Sequence, residues 1–401
     1  MAFSTAGNAL SLPTQVVYDD RLERTCAAMK THGIDVLAVA GVDILRFLTG
    51  LHGLPVTRPI WLVLPQGGEP GFVSPGSEVK EIQARCQTKV VARWVEWEEE
   101  VPAPRTHHEA LAKYLREIAP NAGTIGIDFN GITGGNLELV KQAVGPERAK
   151  DVSPMQRELF AVKDAAALTV IRGSCDVIAA QFEASRAAIA PGVSEWEVSL
   201  ASFMAGTKRQ AELFNGNEEQ SPLALGLHMT GSGPERTARC HAAGAGRKMR
   251  EGDVVQICRC STGIYGHLVG FDRPVLAGNK QPSQEMRKVI DLAREAQEAA
   301  LAKVRPGVAA GEIHDAAMDV IDRGGWKNPV LHRTGRSIGY SGWDGHEIKA
   351  GSQTVLKPGM VFTVEPGIYV DGVGGARFGD TVVVTETGYE MLTPFELGRD
   401  I

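Results

Sequence analysis

A strand that runs into a proline constrains this chain more than any other feature. Residues 360–369 read Met-Val-Phe-Thr-Val-Glu-Pro-Gly-Ile-Tyr, an apolar run interrupted after Glu365 by Pro366. Proline has no backbone N–H and cannot continue the ladder of a central strand, so the strand has to end at the glutamate. The pattern therefore predicts a carboxylate held rigidly at the end of a buried strand.

A second set of motifs lies upstream. Arg-Cys-His at 239–241 is followed by a charged run, the turn Glu-Gly-Asp at 251–253 and the apolar strand 254–257. Together with Lys-Pro-Gly-Met at 357–360, these motifs resemble the "pita-bread" family of methionine aminopeptidase, prolidase and creatinase. The resemblance extends over nearly the whole chain. It implies an α/β (α+β) fold, with an N-terminal creatinase-like α/β domain and a C-terminal pita-bread domain.

The order of predicted elements also indicates two domains. Apolar strands at 36–40 and 60–64 alternate with helical segments, which is typical of an α/β domain. A long helix, 158–190, with a break near Gly173 then opens the second part of the chain. We therefore predict domains at 1–157 and 158–401.

Charge and composition exclude several classes of protein. The 401 residues carry a net charge of -6 and no basic stripe, which argues against nucleic-acid binding. No apolar stretch has the length of a membrane span, and residues 1–5 lack the basic start of a signal peptide, so we expect a cytoplasmic protein without a membrane partner. The scattered cysteines predict free thiols. Cys258 and Cys260 could hold zinc, although one C-x-C motif is weak evidence for it.

The resemblance raises the question of a metal site. Metal-dependent members of the family hold two divalent ions with two aspartates, a histidine and two glutamates. The matching positions here are Cys258 (or Arg259, if the hairpin has an extra residue), Gly270, Arg336, Glu365 and Gly379. Only Glu365 is retained, and an arginine at a ligand position repels cations. We therefore predict no catalytic metal and no cofactor.

Creatinase, a metal-independent branch of the family, matches further positions. Its catalytic histidine lies twelve residues before the aspartate of Gly-Asp, as His241 lies before Asp253. Its two acids match Asp272, which precedes Arg273, and Glu365. The resemblance thus implies that His241, Asp272 and Glu365 are catalytic, with a neutral imidazole that accepts and returns a proton near pH 7. Alternatively, His241 only forms a hydrogen bond within the core, Asp272 only pairs with Arg273, and Glu365 is a remnant of a metal ligand.

Four more residues are predicted to bind substrate. The creatinase arginine that matches Arg58 comes from the partner subunit and holds a carboxylate, so the resemblance implies a homodimer with a shared active site. Arg336 either binds a substrate anion or pairs with Glu365 in the place of a metal ion. His346 stands near a second substrate-binding arginine of creatinase, and His267 lies in a hairpin that passes the site. Arg58 can instead be a surface residue, and both histidines can instead only pack.

These residues predict a creatinase-like hydrolase that cleaves a C–N bond of a small zwitterionic molecule of the amidine, guanidine or ectoine type. Two carboxylates in one pocket need a cation between them, or one must take a proton, so we expect a cationic group on the substrate. The differences from creatinase argue against creatine itself. The alternatives are a lyase of the same fold, acting by β-elimination on an osmolyte-like substrate, and a non-catalytic binding protein derived from a peptidase.

Overall fold

The computed structural model describes residues 9–53, 58–97, 102–224, 226–399 and 401. The chain divides into two compact units between Phe160 and Ala161, close to the predicted division after residue 157. The described residues before Pro13 group with the C-terminal unit. Residues 1–5, on which the signal-peptide argument drew, lie outside the described part.

The N-terminal unit is built on one six-stranded mixed sheet. Its strands are β1 (Val36–Val39), β2 (Trp61–Pro65), β3 (Gly71–Pro75), β4 (Val90–Trp94), β5 (Ile125–Ile127) and β6 (Ala149–Asp151), in the order β4-β3-β2-β1-β5-β6. Its helices are α1 (Gln15–His32), α2 (Val42–Thr49), α3 (Val79–Arg85), α4 (His107–Ile118), α5 (Gly134–Val144) and α6 (Ser153–Ala161), which ends at the boundary. The central strand β1 is buried at every position, as a strand covered on both faces requires.

The C-terminal unit carries the site. Its helices are α7 (Ala165–Ala188), α8 (Glu195–Phe214), α9 (Gly233–Thr237), α10 (Gln284–Leu301) and α11 (Ala310–Ile321). Its strands are β7 (Leu227–Ser232), β8 (Val254–Ile264), β9 (His267–Leu276), β10 (Gly335–Ser337), β11 (Glu347–Ile348), β12 (Val361–Val364), β13 (Gly367–Val370), β14 (Gly374–Arg377), β15 (Asp380–Val384) and β16 (Tyr389–Met391).

These strands form three sheets, ordered β7-β8-β9, β11-β10-β12-β15-β16 and β13-β14. An isolated bridge between Asp272 of β9 and Gly379, just before β15, joins the first sheet to the second. The largest apolar core packs α10 and α11 against β12 and β15, and a second core packs α7 against β8 and β9. The sheets therefore meet where Asp272 lies.

The long helix predicted at 158–190 is two helices, and the predicted break near Gly173 is wrong. The break falls at 162–164, between α6 and α7, and Gly173 is buried within continuous α7. A Cβ on Gly173 would lie 2.9 Å from Leu10 Cδ1, so the glycine lets the Leu10 side chain pack close to the helix backbone. Among the described helices, α7 alone is long and apolar enough to cross a membrane, and 56% of its most apolar window is buried inside the protein.

Candidate active site

Strand pairing brings the predicted catalytic acids together. Asp272 exchanges two backbone hydrogen bonds with Gly379, at 3.0 and 3.1 Å. Glu365 directly follows β12, and its backbone N–H donates to Thr334 O at 2.7 Å, just before β10. Because β10 and β12 are antiparallel neighbours, Arg336 is brought to the same place. The charges of Asp272, Glu365 and Arg336 consequently interact.

Arg336 forms a short ion pair with Glu365. Its Nη1 donates to Glu365 Oε1 at 2.5 Å, and its Nε donates to Gly342 O at 2.8 Å. The two side chains are only 12% and 4% exposed. Burial alone would raise the pKa of Glu365, but the guanidiniums of Arg336 and Arg377 lower it below its usual value. Arg336 thus pairs with Glu365, which is the second of the two roles predicted for Arg336 from the sequence.

Arg377 stands against Asp272 and was missed by the sequence analysis. Its Nη2 lies 3.1 Å from Asp272 Oδ1, with the side chains 3% and 0% exposed. The contact is electrostatic, because among the described residues the Asp272 oxygens accept no hydrogen bond and Nε and Nη2 of Arg377 find no acceptor. Arg273 pairs with Asp380 at 3.0 Å, so its side chain is not the partner of the Asp272 carboxylate. The available signal was that Arg377 lies two residues before Gly379, a family ligand position.

Burial raises the pKa of Asp272, although the nearby Arg377 opposes the shift. The two acids therefore differ in protonation behaviour: Glu365 stays ionised, whereas Asp272 takes up a proton more readily than a free aspartate. Two carboxylates whose environments push their pKa values apart are suited to different roles in acid–base chemistry.

Two glycines make room for these carboxylates. A Cβ on Gly379 would lie 2.1 Å from Asp272 Oδ2, well inside van der Waals contact. A Cβ on Gly270 would lie 2.9 Å from Thr363 Cγ2 and 3.9 Å from Glu365 Oε2. Both positions thus face the acids, and a side chain at 379 cannot coexist with the carboxylate of Asp272 as placed.

His241 lies in the loop after α9, and its side chain is exposed. Its Nδ1 is 3.2 Å from Cys240 Sγ. Partial burial and the charge of Arg377 lower the pKa of His241, while Glu365 and Asp272 act in the opposite direction. The imidazole is therefore neutral near pH 7 and within electrostatic reach of both acids.

The loop that carries His241 is held by a buried carboxylate that was not among the predicted site residues. Glu195, the first residue of α8, accepts hydrogen bonds from Arg236 Nε at 2.9 Å, from Ser232 N at 2.8 Å and from Ala245 N at 3.1 Å. It is fully buried. A carboxylate at a helix N-terminus is also favoured by the helix dipole. The segment around His241 is thus held on both sides, because Ser232 before it and Ala245 after it donate to the same carboxylate.

The other three predicted substrate-binding residues lie on different elements of the chain. His346 stands just before β11, and its backbone N–H donates to Ser337 Oγ at 2.9 Å. His267 opens β9 and is buried. Arg58 lies in the N-terminal unit, where its Nη2 is 2.8 Å from Glu96 Oε2. Their roles in substrate binding stay predictions.

A partly buried histidine, His332, pairs with Tyr369 and also interacts with the site, although it was not among the predicted site residues. His332 Nε2 is 2.7 Å from Tyr369 Oη, and its Nδ1 is 2.7 Å from Arg333 O. Burial, with Arg377, lowers the pKa of His332 to about 4, so the ring is neutral at pH 7. A carbonyl can only accept, so Nδ1 donates to it and Nε2 accepts from the tyrosine hydroxyl.

Comparison with known proteins agrees with this architecture. Residues 169–386 match metallopeptidase family M24, and residues 21–159 match the creatinase/prolidase N-terminal domain. The chain belongs to this family. The predicted family and fold are therefore confirmed.

Individual relatives differ in what their names say. Agropine synthesis cyclase of Rhizobium rhizogenes is 58% identical over 97% of this chain and 98% of its own length. Dipeptidase PepE of Mycobacterium ulcerans has a TM-score of 0.78 at 28% identity, covering 96% of this chain and 97% of its own. A prolidase from Thermococcus sibiricus has a TM-score of 0.81 at 26% identity, covering 94% and 96%. The family thus contains both peptidases and a cyclase.

The residues at the family's metal positions do not fit a pair of divalent ions. Hard ions such as these need several carboxylate or imidazole ligands. Here Glu365 is the one carboxylate in the set, and Arg336 is bound to it at 2.5 Å. Gly270 and Gly379 offer no side-chain donor. Divalent ions need negatively charged ligands, but here the guanidiniums of Arg336 and Arg377 stand against Glu365 and Asp272.

A cluster of softer donors lies beside the acids. Cys258 Sγ, Cys260 Sγ and an Asp272 oxygen are all within 4.8 Å of one another, and the two sulfurs are 3.1 Å apart. Zinc binds thiolates and usually four ligands. Burial raises the pKa of the Cys258 thiol, and Arg377 already stands against Asp272, so this set does not favour zinc.

Proposed function

We propose that this protein catalyses a metal-independent ring-closing reaction on a small polar molecule, with acid–base chemistry supplied by His241, Asp272 and Glu365. The observation that carries the proposal is the ion pair between Arg336 Nη1 and Glu365 Oε1 at 2.5 Å, which puts a guanidinium where metal-dependent relatives need an ion. The name of the Rhizobium relative, a cyclase at 58% identity, supports ring closure as the reaction type.

The chemistry proposed is attack of the substrate's own hydroxyl or amine on an acyl carbon of the same molecule. The bond from that carbon to an amine nitrogen or a hydroxyl oxygen breaks, and an amine or water leaves. Hydrolytic ring opening is the reverse of the water-releasing case, so the same groups serve both directions. The C–N hydrolysis expected from the sequence is therefore kept as a second candidate, supported by the neutral imidazole of His241 beside two acids.

The protonation states assign roles to these groups. Glu365 is ionised and holds Arg336 in place, since guanidiniums lower its pKa. Asp272 accepts or donates a proton, since burial raises its pKa. His241 is exposed and neutral near pH 7, so it removes the proton of the attacking group and returns it to the leaving group.

The charges revise the expected substrate. The sequence predicted a cationic group between two carboxylates, but Arg336 and Arg377 already stand against Glu365 and Asp272. A second cation is not needed there. The Nε–H group of Arg377, which has no acceptor among the described residues, instead favours an oxygen acceptor such as the carbonyl oxygen of an acyl group.

Agropine provides the test, because the name of the Rhizobium relative connects a homologous cyclase with it. Purified protein treated with a chelator should open or close the agropine ring at the rate of untreated protein, and labelled oxygen from water should enter the opened product. His241→Asn should lower turnover by about 10²–10⁴-fold, because it removes the titrating group. His32→Asn, at a histidine of the N-terminal unit, is the matched control.

Two outcomes would contradict the proposal. Loss of activity on chelation, restored by stoichiometric divalent metal, would overturn the metal-independent mechanism. Tight agropine binding without turnover would favour the binding protein considered above.

We also propose a homodimer in which Arg58 completes the partner's site. Arg58 is 36% exposed and its pair with Glu96 is a surface pair, so the side chain can leave Glu96 to reach a partner's site. Mixing Arg58→Ala with His241→Ala protein should restore part of the activity through hybrid dimers. No recovery despite demonstrated subunit exchange would remove Arg58 from a shared site.

A further inference from the structure

We infer that the Cys258 thiol attacks the acyl carbon of the substrate and carries the acyl group as a thioester before the ring closes. This step rests on the proposed function and gives it a covalent intermediate. Cys258 is one of the two residues, with Arg259, that match the first aspartate of the family's metal-binding set. Where metal-dependent relatives have a metal ligand, Cys258 offers a nucleophile.

The position of Cys258 next to an acid supports this role. Cys258 of β8 is directly opposite Asp272 of β9 in the antiparallel ladder, so the two side chains emerge on one face. Its Sγ, Cys260 Sγ and an Asp272 oxygen are mutually within 4.8 Å. The thiol thus has a proton acceptor beside it.

Unpartnered polar atoms indicate that a ligand is received here. Asp272 is 0% and Arg377 2% exposed. Asp272 Oδ1 and Arg377 Nη2 form the ion pair of 3.1 Å, whereas Asp272 Oδ2 and Arg377 Nε have no hydrogen-bond partner among the described residues. Buried polar groups without partners are costly, so these atoms are expected to engage a bound molecule. The Nε–H group of Arg377 is a donor suited to the oxygen on which negative charge develops.

Burial keeps the thiol protonated at rest, since it raises the pKa of Cys258 well above the usual value. The nucleophile therefore forms only as the proton leaves. Asp272 is the acceptor, and its own pKa is raised by the same burial. Arg377 opposes the shift at the thiol and stabilises the sulfur anion as it develops.

The step balances without an oxidant or reductant. A carbon–sulfur bond forms as the thiol proton passes to Asp272, and the carbonyl electrons move to the oxygen at Arg377. The bond to the leaving amine or hydroxyl then breaks, and that group takes the proton from Asp272. The substrate's own hydroxyl or amine next loses its proton to His241 and attacks the thioester. The carbon–sulfur bond breaks, and the sulfur regains a proton from His241 by way of Asp272.

Burial also accounts for ring closure in preference to hydrolysis. Cys258 is 1% and Cys260 5% exposed, so a thioester formed there would meet little bulk water. The internal nucleophile is already attached to the acyl chain, and such proximity raises its effective concentration greatly. Because the thioester is shielded from water, it reacts with the hydroxyl or amine of its own acyl group.

The test uses the full-length protein with agropine. Turnover is measured for the wild type, Cys258→Ala, Cys260→Ala as the matched neighbour and Cys26→Ala as a remote thiol, with circular dichroism to confirm folding. Acid-quenched samples are analysed by intact mass and peptide mapping.

Cys258→Ala should lose at least about 10³-fold in turnover, as expected for removal of a nucleophile, whereas Cys260→Ala should stay within about tenfold. Wild-type protein should show an adduct of one agropine mass on Cys258, cleaved by hydroxylamine. Folded Cys258→Ala with more than a tenth of wild-type turnover, or an adduct on another residue, overturns the covalent step alone. No turnover of agropine by the wild type overturns the proposed function and this step together.

Discussion

Removing the guanidinium of Arg336 should destabilise the protein strongly, because it would leave Glu365 charged and buried. Glu365 is 4% exposed at the side chain and bonded to Arg336 at 2.5 Å. Breaking a buried pair by removing one partner costs about 3–5 kcal/mol. Arg377 also acts on Glu365 and compensates in part, so we expect Arg336→Met to cost about 3 kcal/mol, the lower end of that range.

A double-mutant cycle separates this penalty from lost packing. Glu365→Gln removes the charge and keeps the shape, so the double variant should be more stable than Arg336→Met alone, with a coupling energy of about 2 kcal/mol. The matched control is Arg333→Met. Arg333 pairs with Glu347 at 2.8 Å with the side chains 34% and 19% exposed, and that loss should stay within about 1 kcal/mol.

The loss of stability caused by Arg336→Met should depend on pH. In the wild type the pKa of Glu365 is below its unfolded value, so its contribution is present above that value and lost as pH falls through the folded pKa. In Arg336→Met, burial with less compensation should raise the folded pKa. The loss of stability in Arg336→Met should then be largest at pH 8, and it should become smaller at lower pH as Glu365 takes up a proton.

Urea unfolding at pH 8 and pH 5.5, followed by tryptophan fluorescence, measures the midpoint and slope for all four proteins of the cycle. A loss below about 1 kcal/mol for Arg336→Met at pH 8, with no coupling to Glu365→Gln, would show that the buried ion pair does not hold the site together.

Three further outcomes follow from the structure. Gly379→Ala should lower stability by about 1–3 kcal/mol, because its Cβ would lie 2.1 Å from Asp272 Oδ2, and adding Asp272→Ser should restore part of the urea midpoint. Because the folded pKa of His332 is about 4, below its unfolded value, stability should fall by up to about 3 kcal/mol as pH drops from 6.5 to 4, and His332→Asn should flatten that profile. Lys163→Met should cost about 3–5 kcal/mol, measured by urea unfolding, because its fully buried partner Asp344, at 2.7 Å, would be left charged; a wild-type midpoint would contradict this.

Local sequence predicted much of the fold because the relevant signals are local. The proline after Glu365 ends β12 at Val364, and the glutamate is 3% exposed, as expected for an acid at a buried strand end. The helix break was misplaced for a physical reason. One glycine inside a helix costs only about 1 kcal/mol, which packing against Leu10 can offset, so Gly173 did not mark an end.

The charge arrangement of the site depends on contacts distant in sequence, and these were only partly foreseen. The pair of Arg336 and Glu365 was considered as one of two roles because both residues fall on family positions. Nothing in the local pattern of β14 marks Arg377 as the cation beside Asp272. The cationic substrate expected from the sequence followed from counting two acids without that arginine.

The contact between Gly379 and Asp272 couples the two positions in any change of sequence. A Cβ at 379 would lie 2.1 Å from Asp272 Oδ2, so a glutamate there would require the Asp272 carboxylate to move away. Restoring a metal ligand at 379 therefore needs an accompanying change at 272. A single substitution at 379 would disturb the present site before it could build a metal site.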